Sequence, residues 1–189
     1  MGLIEPQEWS YPYVDEIEGL IQWARDHHRE HIEFEARRVQ ELAEFDHYKY
    51  MVSAHLSTTQ TNLVNGTWTK VELDTADLNH GSCLNATTHQ FTVPVSRRWC
   101  ISASIYFTNC VTDKWYGGRI RKVDTVDLAY DHFYVPGSGN AIVTMARMVE
   151  LDEGDVLELQ AVSNSGDNTV DIYGSDVIIG TFFTAYVVG

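Results

Sequence analysis

Cysteine is scarce in this chain. Of 189 residues only Cys83, Cys100 and Cys110 are cysteines, and no two of them form a Cys-x-x-Cys pair. An odd number without framework spacing excludes a disulfide scaffold and a thiolate zinc site, and implies reduced, partly buried thiols. Basic residues are also few: 13 Lys and Arg stand against 27 Asp and Glu, a net charge of −14. The densest cationic run, Arg119-Ile-Arg121-Lys122, is too small to neutralise a phosphate backbone, so no nucleic acid is expected as ligand. No apolar run approaches the roughly 18 residues that a membrane span requires. The opening Met-Gly-Leu-Ile-Glu-Pro has no basic stretch followed by an apolar core, so no secretory signal is expected. The product is then expected to stay in the cytosol where it is made, or to leave by assembly or lysis. On that reading Asn65-Gly-Thr67 and Asn85-Ala-Thr87 match the glycosylation pattern by chance.

Motifs for chemistry are missing as well. The sequence has no His-Glu-x-x-His, no Gly-x-Ser-x-Gly elbow, no phosphate loop and no dinucleotide fingerprint. His27, His31 and Glu35 are spaced to share one helix face, but nothing else in the chain is tied to them by spacing. They read as exposed or interfacial helix residues, which would make a bundle of such helices pH-sensitive. Asp124, Asp127 and Asp131 read as solvating a long loop. Gly137-Ser-Gly139 reads as a loop apex. His132-Phe133-Tyr134 and Trp115-Tyr116 add aromatics to the same region, and aromatics beside Asp and Asn in loops are the material of sugar sites. No catalytic residue, cofactor or metal is expected.

What is present falls into two parts. Residues 1–14 carry Pro6, Trp9, Tyr11, Pro12 and Tyr13, so a long helix is forbidden and the aromatics need cover. An extended arm lying against its own domain or a partner is expected. Residues 15–49 then have no proline, and Ile17, Leu20/Ile21, Ala24, His28, Ile32, Glu35, Val39, Leu42 and Phe45 recur three or four apart. That spacing predicts one long amphipathic helix, or two with a break near His31, where the apolar stripe weakens. Residues 1–50 are thus an arm and a helical anchoring segment, with Trp9, Tyr11, Tyr13, Ile17 and Leu20 as candidate docking residues.

Residues 51–189 are rich in Val, Ile, Thr, Tyr and Phe, punctuated by turn clusters every 8–15 residues. Eight strands are expected, over 51–57, 67–73, 90–93, 99–109, 115–123, 141–149, 156–162 and 177–188, in a sandwich or jelly roll. Trp99, Ile101, Ala103, Ile105 and Phe107 share one parity and form a core face, with Cys100, Ser102, Ser104 and Tyr106 on the other. In the last strand both parities are apolar: Val177, Ile179, Phe183, Ala185 and Val187 against Ile178, Phe182, Tyr186 and Val188. A strand of this kind is covered twice. The second cover is expected to be a neighbouring subunit, with the N-terminal helix as the competing one.

Four landmarks occur in order in this region: Asn79 ahead of Gln90-Phe91-Thr92-Val93-Pro94, then Trp99-Cys-Ile101, Leu151-Asp-Glu-Gly154-Asp155-Val-Leu157, and Phe183-Thr-Ala185-Tyr186-Val-Val188. Together they resemble the tumour-necrosis-factor-like jelly roll, the superfamily that includes the globular heads of complement C1q. Arg97-Arg98 and Ala185 stand where that pattern has glycines. The resemblance implies a mainly β jelly-roll sandwich of about ten strands, assembled as a homotrimer, with Tyr106, Phe182, Tyr186 and Val188 at the interface. Part of the family binds calcium, but no compact acidic loop here matches. The function expected is structural: a homotrimer that docks through residues 1–50 on a capsid or tail protein of a virion. Capsid decoration (cement), a head fibre or a tail spike would fit, with the virion as location. The alternative is a recognition module that binds a protein or glycan through exposed jelly-roll loops.

Overall fold

The computed structural model describes residue 33 and residues 49–188. Glu33 is helical; the other residues of the expected arm and helix up to residue 48 lie outside the described residues, including Trp9, Tyr11, Tyr13, Ile17, Leu20, His27, His31 and Glu35.

The described chain begins with short strands: β1 (Met51–His55), β2 (Thr58–Gln60), β3 (Thr69–Lys70), β4 (Thr75–His80), β5 (Leu84–Asn85) and β6 (Gln90–Thr92). Four long ones follow: β7 (Arg97–Cys110), β8 (Lys114–Lys122), β9 (Val126–Val135) and β10 (Gly139–Leu151). The chain closes with β11 (Val156–Ser163), β12 (Asp171–Ser175) and β13 (Phe182–Val187). All the strand pairings are antiparallel, and they form two sheets. The first sheet runs β4-β1-β13-β7-β10, with β12 and then β2 continuing beside the far end of β7. The second runs β5-β6-β11-β8-β9, with β3 on the flank of β11. Two antiparallel sheets face to face, with the first and last strands adjacent, make a jelly-roll sandwich.

Alternation explains the core. Trp99, Ile101, Ala103, Ile105 and Phe107 of β7 are buried, as are Phe183, Ala185 and Val187 of β13. The facing sheet supplies Phe91, Tyr116, Ile120, Leu157 and Leu159. Ring centroids of Phe91 and Trp99 lie 5.4 Å apart, and those of Phe107 and Tyr116 lie 5.5 Å apart, so aromatic pairs bridge the sheets. Gly118 lets the sheets close: a Cβ there would lie 2.4 Å from Met145 Cε and 2.8 Å from Ile105 Cδ1. The Asp152–Asp155 turn leads into β11 through Gly154, whose φ of +88° is left-handed.

Two expectations are corrected. The closing strand starts at Phe182 rather than Val177; Val177-Ile178-Ile179 sits in the connection from β12, with Val177 90% exposed. The loop expected around Asp124, Asp127 and Asp131 is largely strand β9, because an edge strand tolerates carboxylates on both parities. Asn79, the landmark ahead of Gln90, lies in β4. Its side chain both donates to Leu84 O (3.0 Å) and accepts from Leu84 N (2.9 Å), fastening the following turn.

Candidate functional site

The outward face of the first sheet is built from the parity that the core leaves over. Cross-strand register places Met148, Cys100, Tyr186 and Met51 in one row across β10, β7, β13 and β1. Met148 is 65% exposed and Tyr186 42%. The next row, Ala146, Ser102, Thr184, Ser53 and Leu78, is mostly small, and the hydroxyls of Ser102 and Thr184 lie 2.6 Å apart. A third row holds Thr144, Ser104, Phe182 and His55. Ile142 and Tyr106 end the face, where Tyr106 packs at 5.2 Å on Tyr173 and takes a hydrogen bond from Asn140 Nδ2 (2.8 Å). Ser102, Thr144, Ala146 and Phe182 line a shallow depression of about 240 Å³. The structure thus brings Tyr106, Phe182 and Tyr186 to one face; Val188 follows on the same parity, its amide donating to Arg98 O (2.8 Å).

His55 shares that parity, yet it is buried. Its Nδ1 lies 3.2 Å from Asp77 Oδ2 and its Nε2 3.1 Å from Asp176 Oδ1. Burial opposes the charge, but the hydrogen bonds to Asp176 and Asp77 outweigh it and raise the His55 pKa above the ordinary value. With both ring nitrogens held by carboxylates, neither is placed to serve as a catalytic base.

The outward face of the second sheet is different. Tyr130, His132 and Tyr134 of β9 stand opposite Arg119, Gly117 and Trp115 of β8. The Arg119 guanidinium lies 4.2 Å from the Trp68 ring centroid, and Trp68 meets Tyr130 edge-on at 6.0 Å. Arg119 Nε donates to Gln160 (2.7 Å), Nη1 donates to Asp127 (3.1 Å), and Gln160 bonds Glu158 in turn. Strand alternation separates the pair expected to act together: Tyr116 points into the core and Trp115 points out. Among the described residues no three His, Cys, Asp or Glu side chains converge on a metal-sized site, and every buried side-chain polar atom has a partner. Cys83 and Cys110 are pushed up to about 11 by burial, which makes them poor nucleophiles. The sequence reading missed Trp68, Tyr130, Ile142, Met148 and the His55 bridge. Only Ile142 and Met148 carried a signal, as the apolar members of the outward parity of β10.

No protein-family model and no curated protein sequence matches the chain. Among the solved structures that match is the Eiger TNF of S. frugiperda. It has a TM-score of 0.56 and 11% identity over 74% of this chain and 92% of that one. The fold is a TNF-like jelly roll. At that identity the likeness shows architecture alone, and the jelly roll's function has to be argued from its surfaces.

Proposed function

We propose that the chain is a non-enzymatic assembly protein, a homotrimer formed through the outward face of the first sheet and docked on a virion through residues 1–50. Capsid decoration fits better than a fibre shaft, because the sequence has no repetitive stretch. The observation that carries the trimer is the row of Met148, Cys100, Tyr186 and Met51, exposed at Met148 and Tyr186, beside the small-residue row. Contiguous apolar exposure marks an interface, and small residues between large ones permit close approach. A second feature favours a ring over a two-fold dimer. Phe133 is paired with the core residue Tyr116 but stays 46% exposed, because the edge strand β9 overhangs the sandwich. An apolar face in one place and an apolar edge in another suit a head-to-tail contact that closes on itself. The acidic surface and the distinct composition of residues 1–50 support the docking role.

The deciding measurement is solution mass by light scattering with size exclusion. A trimer that dissociates on Tyr186→Asp supports the reading; a wild-type monomer overturns it. Residues 51–189 by themselves should keep the trimer mass and lose attachment to the particle, and retained attachment would refute docking by residues 1–50.

A further inference from the structure

The two outward faces differ in their exposed apolar groups. Ile142, Met148 and Leu78 belong to the first sheet, where Tyr186 is the one exposed ring among the described residues, and Val177–Ile179 belong to the connection leading into β13. The exposed large groups on the outward face of the second sheet are rings, Tyr130 (51%) and Tyr134 (54%), accompanied by His132. Aliphatic side chains with small neighbours suit burial against protein. Rings alternating with planar polar groups suit the two-sided chemistry of a pyranose, whose C–H face stacks while its hydroxyls bond. We propose that this face is a carbohydrate-binding surface that takes a short pyranose oligosaccharide laid along β9.

Three observations carry the assignment. Tyr130, His132 and Tyr134 are two residues apart on one strand, so successive rings are spaced by about 7 Å along a line. Tyr130 and His132 already stack, with centroids 5.6 Å apart. Gly117, opposite His132, lies under the Trp68 ring: a Cβ there would be in ordinary contact with the ring at 3.5 Å and tight against Val162 Cγ1 at 3.1 Å. The platform is also fixed in advance, since Arg119 holds Trp68 and is itself held by Gln160 and Asp127. A surface ordered beforehand loses little entropy when a ligand arrives. An acceptor for sugar hydroxyls stands at one end of the line, where Asp113 takes the Tyr134 hydroxyl at 3.1 Å. The surface lies on strands rather than on loop tips, on the parity of β9 opposite Phe133, and Tyr186→Asp tests the trimer separately.

The test is titration of the full chain with cellohexaose, chitohexaose, maltoheptaose and sialyllactose, followed by calorimetry and tryptophan emission. At least one should bind in the millimolar range or tighter and change the emission of Trp68 or Trp115. A Tyr130→Ala/Tyr134→Ala double variant should bind it about tenfold more weakly, and Val126→Ala, on the other parity of the same edge, within about twofold. Both tyrosines are exposed, so unchanged thermal unfolding will confirm that the double variant is folded. Failure of all four sugars to bind overturns the proposal, as does undiminished binding by the double variant. A change of solution mass in that variant would instead make the face a protein contact.

Discussion

His55 of β1 ties Asp77 of β4 to Asp176 of the connection before β13, one carboxylate on each ring nitrogen. Its pKa is raised above 6.5 by those partners, so the stabilisation is complete below pH 6.5 and fades as pH rises through the raised value. Chemical denaturation should therefore show the wild type losing stability as pH rises above 6.5. His55→Gln should flatten that slope. An equal slope in both proteins would mean that the bridge contributes nothing.

Gly174 of β12 lies against Thr58, where an added Cβ would come within 2.5 Å of the Thr58 carbonyl carbon and oxygen. Backbone cannot move aside cheaply, so Gly174→Ala should cost about 2 to 3 kcal/mol. Gly118→Ala meets chiefly the mobile end of Met145 and should cost less. Melting temperatures in the reverse order would contradict the packing described.

Tyr116 accepts a hydrogen bond from the Val111 amide (2.7 Å) through a hydroxyl that is itself buried. Tyr116→Phe keeps the ring but orphans that amide. A loss of about 1 to 2 kcal/mol in urea denaturation is expected; a loss near zero would show that water replaces the hydroxyl.

Thiol titration offers a view of assembly. Cys83 and Cys110 are buried and weakly acidic, so neither should react at neutral pH without unfolding. Cys100 is half-buried on the outward face, where Tyr186 is its cross-strand partner. In an assembled wild type no thiol should react quickly, whereas Tyr186→Asp should expose one. Rapid labelling of Cys100 in the wild type would argue that this face is uncovered.

Much of the fold was legible because β7, β8, β10 and β11 alternate cleanly between a core and an outward parity. Trp99 to Phe107 could be placed from parity alone. The misreadings share a cause: periodicity reports what surrounds a strand only when one face is buried. β9 hangs at an edge and carries Asp127, Asp131 and Tyr130, so its pattern resembles a polar loop. Val177-Ile178-Ile179 is apolar without being buried, so it resembles more strand than exists. The His55 bridge joins residues up to 121 positions apart, and no local pattern encodes that. The ring platform is half visible in the sequence, where Trp115, His132 and Tyr134 read as loop aromatics. That they line one face with Trp68 follows only from the pairing of β8 with β9.

The position of β13 also bears on how the chain is made. It lies between β1 and β7, so the first strand of the sheet reaches the longest one only through the last six-residue strand. On the ribosome β1, β4, β7 and β10 emerge long before the piece that joins them, and their apolar sides must wait in nascent form. Completion of the first sheet therefore waits for β13, and without that strand β1 and β4 would be held apart from β7 and β10 by an empty lane.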